Sequence, residues 1–301
     1  MSIKNFDELS KLLDKESTPK KIAIVNAMDQ HSLESIFSLK QYVEPILIGN
    51  ASKIKDMIDS IGQTIDDVQI IETQSDVESA EKAVELAKNG QADIIMKGKI
   101  QTKDLLKAVV NKEKGIRKSK VLSHVALYEL PNYSKLVLST DGGMVLEPSL
   151  EQKKEIIHNA LFVFHQLGYK EPKVAALSAA EQVNEKLQDS VEGKQLKEMN
   201  QNGEIPGCII EGPISLDLSL SEEIAQAKGY QGKIQGDADI LLVPNITAGN
   251  LLGKAFSVTA NGKMAGAVLG AEVPIILTSR GSTTEEKFNS IILSIVLSEK
   301  K

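Results

Sequence analysis

The feature that most constrains the fold is the alternation of short apolar segments with helical patterns along nearly the whole chain. The apolar segments predict buried strands at 21–25, 46–49, 93–96, 136–138, 173–178, 207–210, 239–243 and 273–277. Apolar residues at helical spacing predict helices at 33–42, 76–89, 102–110 and 150–167. Such β-α-β alternation with near-continuous apolar strands implies a parallel sheet covered by helices on both faces, so the fold class is α/β.

The length of the chain fits two domains or one large α/β domain. It has 301 residues. Pro131-Asn132 favours a turn and marks the predicted first crossing between domains. We therefore expect residues 1–131 and 279–301 to form one α/β domain and residues 132–278 a second. A return near Ser279 would place that residue at the domain junction, where ligand pockets tend to lie.

The overall charge and the aromatic content exclude general nucleic-acid binding. Lys and Arg number 35 against 41 Asp and Glu, a formal net charge of -6, whereas nucleic-acid binding requires a basic surface. Aromatic residues make up 4% of the chain and Trp is absent, so base-stacking platforms are not expected. P-loop and Gly-x-Gly-x-x-Gly fingerprints are also absent. An anionic ligand must therefore be attracted by local charge.

The sequence also argues against secretion, membrane insertion and metal binding. We see no basic segment followed by an apolar one at the start, and no apolar run of the ~20 residues that span a bilayer. Cys208 is the single cysteine, which excludes an internal disulfide and a multi-cysteine metal site. His158 and His165 lie two helical turns apart without an acidic partner at ligand spacing. We expect a cytoplasmic protein with no bound metal.

A hydroxyl, a guanidinium and two carboxylates cluster where the last predicted strand gives way to a helix. Ser279 and Arg280 follow the strand, and Glu285 and Glu286 precede the helical pattern. Open α/β sheets bind ligands at the carboxyl ends of strands, and helix N-termini favour anions. Arg can hold a phosphate with two parallel bonds, Ser can orient a nucleophile, and a carboxylate can accept a proton. The pattern predicts a phosphoryl or acyl-phosphate site.

The two carboxylates also have a purely structural interpretation. Ser282 with Glu285, and Thr283 with Glu286, both have the spacing of a capping box. If Ser282 caps the helix and Glu285 closes the box, Glu286 is left to point elsewhere. The sequence favours neither interpretation over the other.

Two further turns carry basic residues. Lys97 and Thr102 lie between a strand and a helix, where a phosphate or a carboxylate could bind. Arg117 lies in a basic stretch of this acidic chain, a patch that could receive a polyphosphate such as the nucleotide part of coenzyme A. A solvated turn or loop is the alternative interpretation of both.

Three further polar clusters are candidates for ligand contacts, and two of them follow predicted strands. Ser123 and His124 are adjacent, so on a strand they would point to opposite faces, which argues against a Ser-His hydrolase. Asp141 ends a strand and is followed by two glycines, which allow close approach of a ligand or simply form a turn. Asn245 and Asn250 flank the start of a helix, where amides could hold a phosphate or a polar headgroup.

Taken in order, these segments resemble the phosphate acetyl/butyryltransferase family, and within it the phosphate butyryltransferase (branched-chain phosphotransacylase) branch. The similarity runs from about Ile22 to the C-terminus. Its most specific pieces are Met96-Lys97-Gly98, Gly115-Ile116-Arg117, Leu122-Ser123-His124-Val125-Ala126, the run 237–246, Ala248-Gly249-Asn250 and Thr278-Ser279-Arg280. Each piece is weak, but the ordered set is specific.

The resemblance implies a reversible reaction of acyl-CoA with phosphate to give acyl phosphate and coenzyme A. Coenzyme A and phosphate would be substrates, with no tightly bound cofactor. It also implies two α/β domains in an isocitrate/isopropylmalate dehydrogenase-like arrangement, with the site in the cleft between them. Homodimers or larger oligomers would be expected.

The resemblance also implies residue roles. Ser279 would orient the thiol or the oxyanion, and Arg280 and Arg117 would hold phosphate groups. In the acetyl branch the general base is an aspartate at the position of Glu286, whereas the butyryl branch tends to have Glu at the position of Glu285. Both carboxylates therefore stay candidates. Thr247 stands where the butyryl branch more usually has an acidic residue.

The leading hypothesis is an acyltransferase that moves a butyryl or branched short chain by direct thiol attack in a ternary complex. One alternative is a metal- and NAD-dependent dehydrogenase of the same fold, which needs several metal-binding Asp residues, and we find no clear trio. Another is a non-catalytic metabolite-binding protein. The set Ser279, Arg280 and Glu286 argues against it.

Overall fold

The α/β class predicted from the sequence is confirmed by the computed structural model of the chain, which describes residues 2–15, 18–65, 68–279 and 281–298. The strands are β1 Lys20–Val25, β2 Val43–Gly49, β3 Gln69–Glu72, β4 Ile94–Lys97, β5 Ser123–Glu129, β6 Val137–Thr140, β7 Lys173–Leu177, β8 Ile209–Ile214, β9 Ile240–Leu242, β10 Lys263–Leu269 and β11 Ile275–Ile276. The helices are α1 Phe6–Ser10, α2 Gln30–Ser38, α3 Ala51–Ser60, α4 Asp76–Lys88, α5 Thr102–Val109, α6 Leu150–Gln166, α7 Gln188–Gln201, α8 Leu216–Leu220, α9 Glu222–Ala227, α10 Ile246–Lys254 and α11 Thr284–Leu297. A 3₁₀ turn at Leu13–Lys15 and a π-helical turn at Ala255–Thr259 complete these elements.

The chain divides into two compact units. The first unit consists of Met1–Glu8 and Lys120–Met264, and the second of Leu9–Ser119 and Ala265–Lys301. By their main positions in the sequence we call them the central unit and the flanking unit. Within the described part of the chain, none of the helices combines the length and the apolar character that crossing a bilayer requires.

The flanking unit is built on strands in the order β3-β2-β1-β4-β11-β10. All neighbours from β3 to β11 run parallel, and β10 is antiparallel to β11. Ile22, Ile24, Ile94 and Ile95 are completely buried, as expected for a sheet covered on both faces. Because β4 and β11 are parallel neighbours, their carboxyl ends meet at one edge of this sheet.

The central unit is built on strands in the order β5-β6-β9-β7-β8. The strands from β6 to β8 pair in parallel, and β5 is antiparallel to β6. The start of β5 therefore lies at the same edge as the carboxyl ends of β6 and β9. Polar residues predicted from separate segments meet at this edge.

The division into units differs from the boundaries expected from the sequence. Pro131 and Asn132 do form a turn, but that turn joins the antiparallel strands β5 and β6 inside the central unit. The division falls earlier, between Ser119 and Lys120, because β5 pairs with β6. The second division falls after Met264, so Ser279 lies within the flanking unit.

Helix α2 begins earlier than the apolar pattern predicted. The side chain of Asp29 accepts a hydrogen bond from Ser32 N at 2.7 Å and caps the helix, which therefore starts at Gln30. Helices α4, α5 and α6 begin at their predicted residues. Strands β3, β5 and β10 have no predicted counterpart.

Candidate active site

Ser279 lies in a tight turn that follows β11. Its backbone N–H donates to Ser282 Oγ at 3.1 Å, and Ser282 N donates back to Ser279 O at 3.1 Å. Gly281 N donates to Ser279 Oγ at 3.2 Å. The side chain of Ser279 is exposed at the carboxyl edge of the flanking sheet. Because the Ser279 oxygen accepts the Gly281 N–H, the hydroxyl proton remains available to donate to a ligand.

The cap of α11 corrects one of the sequence hypotheses. Thr283 is the N-cap, and its Oγ1 accepts a hydrogen bond from Glu286 N at 3.1 Å. Ser282 does not cap the helix, because its buried hydroxyl accepts the Ser279 N–H and closes the preceding turn. The predicted capping box of Ser282 with Glu285 is therefore wrong. Glu285 stays a candidate for the base.

Glu286 is held by its backbone on both sides. Thr283 accepts its N–H, and its carbonyl accepts a hydrogen bond from Ser290 Oγ at 2.7 Å. Ser290 Oγ in turn accepts the N–H of Gly266 in β10 at 2.9 Å. The Glu286 side chain is half-buried, whereas Glu285 is exposed.

Of the other predicted site residues in the flanking unit, Lys97 lies beside the segment that leads to this turn, whereas the backbone of Arg117 lies away from it. Half-buried Lys97 ends β4, and the pairing of Ile276 with Met96 brings Lys97 beside the segment that leads to Ser279. Thr102 is exposed at the start of α5. Arg117 pairs with Ala271 in the connection from β10 to β11, so its backbone lies at the amino end of β11, away from Ser279. Arg280 lies outside the described residues.

A glycine is required next to Lys97. A Cβ on Gly98 would lie 2.3 Å from the carbonyl oxygen of Asn26, which follows β1. The backbones after β1 and β4 are therefore in direct contact at the carboxyl edge. This contact fixes the end of the strand that carries Lys97.

The central unit brings His124, Asp141 and Asn245 to one edge of its sheet. Asp141 is buried, and its carboxylate accepts backbone N–H groups from His124 at 3.2 Å, Gly143 at 2.9 Å, Met144 at 3.0 Å and Val145 at 3.0 Å. Burial raises the pKa of Asp141, and the hydrogen bonds from these amides oppose that rise. The carboxylate therefore organises the turn after β6, and its oxygens are occupied by the protein itself.

His124 and Ser123 point to opposite faces of β5, as the sequence predicted. The Ser123 hydroxyl is completely buried and accepts a hydrogen bond from Asn159 Nδ2 at 2.8 Å, which removes it from the surface open to a substrate. His124 is half-buried against Gly143. Burial lowers the pKa of His124, partly offset by the charge of Asp141, so the ring is neutral at pH 7.

Helix α10 begins beside the same turn. Asn245 caps it, and its side-chain oxygen accepts the N–H of Ala248 at 3.1 Å. A Cβ on Gly249 would lie 2.6 Å from Gly142 Cα, so the two backbones touch only because both residues are glycine. Asn250 is exposed. Asn245 therefore has a structural role, while Asn250 has a side chain that a ligand can reach.

Sequence reasoning missed the residues that hold the start of α11 against α2. Lys287 is buried and donates to Asp29, and Thr284 contacts both His31 and Glu34. The available signal was the position of Lys287, one helical turn before the apolar Ile291. A lysine on the apolar stripe of a helix requires a buried partner. Among the described residues, no group of His, Cys, Asp or Glu side chains is arranged to hold a metal ion.

The family model and the relatives that match this chain are those of phosphate acetyl- and butyryltransferases. The family model described as "Phosphate acetyl/butaryl transferase" matches residues 76–295. "Phosphate butyryltransferase" of Clostridium acetobutylicum is 37% identical over 99% of this chain and 100% of its own length. "Phosphate acetyltransferase" of Thermotoga maritima is 39% identical over 92% of this chain and 95% of its own length.

Solved structures agree with these relatives. A branched-chain phosphotransacylase from Enterococcus faecalis V583 superposes with a TM-score of 0.83 and 33% identity, covering 94% of this chain and 100% of that one. A 4-hydroxythreonine-4-phosphate dehydrogenase from Klebsiella pneumoniae superposes with a TM-score of 0.54 at 10% identity, covering 93% and 100%. The second likeness concerns the fold alone and shows that this α/β fold is shared with a dehydrogenase.

Proposed function

This chain belongs to the phosphate acetyl/butaryl transferase family, and on that premise we propose that it transfers a short-chain acyl group between coenzyme A and inorganic phosphate. The observation that carries the proposal is the match to curated phosphotransacylases along almost the entire chain. The exposed Ser279 turn and the acidic first turn of α11 supply a suitable constellation. A metal-dependent dehydrogenase is not favoured, because the described residues contain no cluster that fits a metal.

In this scheme the coenzyme A thiol attacks the carbonyl carbon of the acyl phosphate directly. The C–S bond forms, the C–O bond to phosphate breaks, and phosphate leaves with the bonding electrons. A thiol of pKa ~8.5 is only a few per cent ionised at neutral pH. A carboxylate that takes the thiol proton during attack accelerates the step by ~10²–10⁴. No tightly bound cofactor takes part, and coenzyme A enters as a substrate.

We assign the base to Glu286 and keep Glu285 as its rival. Glu286 is half-buried and fixed at its backbone by Thr283 and Ser290, whereas Glu285 is exposed. Ser279 orients the thiol or donates to the oxyanion, and Arg280 binds the phosphate group. Lys97 adds positive charge beside the same strand end. Arg117, Thr102, His124 and Asn250 are proposed to contact the remainder of the substrates, and Asp141 and Asn245 to shape the turns that carry such contacts.

We propose a butyryl or branched-chain acyl group as the preferred substrate. The butyryltransferase relative, which matches over 99% of this chain, and the branched-chain phosphotransacylase structure support this choice, although the acetyltransferase relative is 39% identical against 37%. The test is a comparison of kcat/KM for acetyl-, propionyl-, butyryl-, isobutyryl- and isovaleryl-CoA, following thiol release in phosphate. Each methylene is worth about 10- to 200-fold in a fitted apolar pocket. A maximum at acetyl-CoA would make the chain an acetyltransferase, and no thiol release with any of the five would contradict the proposal.

The proposed assembly is a homodimer or a larger homo-oligomer located in the cytoplasm. The family resemblance supports the oligomer, and the proposed use of coenzyme A thioesters as substrates supports the cytoplasm. Sedimentation equilibrium over a range of protein concentrations measures the assembly directly. A purely monomeric distribution would contradict it.

Cys208→Ala is expected to leave turnover nearly unchanged, because the attacking thiol belongs to coenzyme A. Cys208 is buried, and burial together with the charge of Glu171 raises the pKa of its thiol to about 12. Such a thiol is not a nucleophile at neutral pH. The measurement is steady-state kinetics combined with mass spectrometry of enzyme incubated with acyl-CoA. An acyl group on Cys208, or ping-pong kinetics, would contradict the ternary-complex scheme.

A further inference from the structure

Lys287 is a buried cation next to the proposed catalytic carboxylate. It is 2% exposed, and its ammonium group donates to the carboxylate of Asp29 and to Ser32 Oγ, the latter at 3.2 Å. It lies near the N-terminus of α11, where the helix dipole disfavours a positive charge. A buried lysine at such a place is unstable without its counter-ion. The contact between Lys287 and Asp29 therefore constrains the orientation of α11.

The partner of Lys287 is itself fixed. Asp29 is the N-cap of α2 and accepts the N–H of Ser32 at 2.7 Å. Burial would raise the pKa of Asp29, but the hydrogen bonds from Lys287 and Ser32 outweigh it and hold the pKa below its ordinary value. The stabilisation from this pair is present above the ordinary Asp pKa of about 4 and is lost as the pH falls through the lowered value. The pair is intact at any pH near neutrality.

A second set of contacts fixes the same turn of α11 to the same end of α2. Ser35 Oγ donates to Thr284 O at 3.0 Å. Thr284 Oγ1 donates to Glu34 Oε2 at 3.2 Å and lies 3.0 Å from His31 Nδ1. Thr284 and Lys287 are three positions apart on the helix, so they form one face that packs on α2.

Glu286 precedes Lys287 by one position, which is about 100° around the helix. The rotation of α11 that seats Lys287 on Asp29 therefore also sets the direction of the Glu286 side chain. We propose that buried Lys287 is a positioning residue, whose ion pair with half-buried Asp29 fixes the rotation of the first turn of α11 and thereby places the Glu286 carboxylate for proton transfer. The inference rests on the proposed function.

The chain offers a control for the loss of a partly buried Lys–Asp ion pair, since the Lys135 side chain is 18% exposed and that of Asp239 is 5% exposed. Lys135 donates to Asp239 at 2.5 Å and to Asp237 O at 2.7 Å. It lies just before β6, at the amino edge of the central sheet, opposite to the edge that carries Asp141. Lys135→Met therefore reports what the loss of a partly buried ion pair does to stability, without a change in α11 itself.

The experiment compares Lys287→Met, Lys135→Met and the double variant D29N/K287M in the acyl-transfer assay and by thermal unfolding. Asn at position 29 can still cap α2, and replacing both charges removes the uncompensated carboxylate. We expect both single variants to lose thermal stability. Of the two single variants, we expect only Lys287→Met to lose kcat, by about tenfold to a hundredfold. Its KM should change by less than about threefold, because the substitution changes the direction of the base and leaves the substrate contacts in place.

The double variant separates positioning from folding. We expect the double variant to regain the melting temperature lost in Lys287→Met without regaining kcat. If Lys287→Met does not fold, the kcat of the double variant tests the inference. Recovery of kcat together with the melting temperature, or an unchanged kcat in Lys287→Met, would show that the pair is merely structural and overturn the inference alone. An inactive wild type would overturn the proposed function, and this inference would fall with it.

Discussion

Arg280→Ala is expected to lower kcat/KM by about 10²–10³, the largest loss of any single side chain outside the base. A departing phosphate gains negative charge, and the guanidinium is the group that can hold it with two parallel charge-assisted bonds. Arg280 lies in the chain between Ser279, whose side chain is exposed, and Gly281, whose N–H already binds Ser279 Oγ. The measurement is kcat and KM in both directions, with phosphate and with acyl phosphate as the varied substrate.

Two variants serve as controls for Arg280→Ala. Arg280→Lys keeps the charge but loses the bidentate geometry, so it is expected to recover part of the activity. Arg117→Ala is expected to raise KM for coenzyme A more than it lowers kcat, since the backbone of Arg117 lies at the other end of β11 from Ser279. Activity of Arg280→Ala within about threefold of wild type would remove Arg280 from the mechanism.

Glu286→Gln is expected to lower kcat by about 10²–10⁴ with little change in KM, because it removes the proton acceptor and leaves the shape of the side chain. Gln fits the third helical position as well as Glu does, and Thr283 still accepts the backbone N–H. Neutralising this first-turn carboxylate should therefore cost stability no more than the helix-dipole contribution of about 0.3–1 kcal/mol, far less than the expected loss of activity. The pH–rate profile of wild type should rise through an ionisation that is absent from Glu286→Gln.

Glu285→Gln is the comparison that decides between the two carboxylates. Glu285 is exposed in the first turn, so neutralising it should cost about 0.3–1 kcal/mol through the helix dipole and leave kcat close to wild type. The opposite pattern, with Glu285→Gln inactive and Glu286→Gln almost silent, would assign the base to Glu285.

The sequence was sufficient for those features that depend on neighbours along the chain. The apolar period located α4, α5 and α6, and the strand-to-helix turn at Ser279 was visible as a strand followed by polar residues. The choice of cap was not predictable, because Ser282 and Thr283 satisfy the same local pattern. It was decided by the turn before the helix, in which the buried Ser282 hydroxyl accepts the Ser279 N–H.

Partners that are distant in sequence could not be predicted. Lys287 meets Asp29, and Ser123 meets Asn159, through contacts that exist only once the sheets have formed. The apolar pattern predicted a strand at 273–277, but its position in the sheet between β4 and β10 depends on pairing that the local sequence does not show. The compact units divide near Lys120 and not at Pro131, and the local sequence could not show this, since a turn inside a hairpin and a turn between domains have the same pattern.

The division of the chain has a consequence for its synthesis. All strands of the central unit's sheet are encoded before β11 and α11, so that sheet can fold while the last part of the chain is still being translated. β4 can pair with β11 only after this last segment has been synthesised. Until then, one edge of β4 is unpaired and is a template for pairing with other chains. Ser279 and Glu286 come with that final segment. The emerging polypeptide therefore acquires its proposed active site and protects this edge in the same late step.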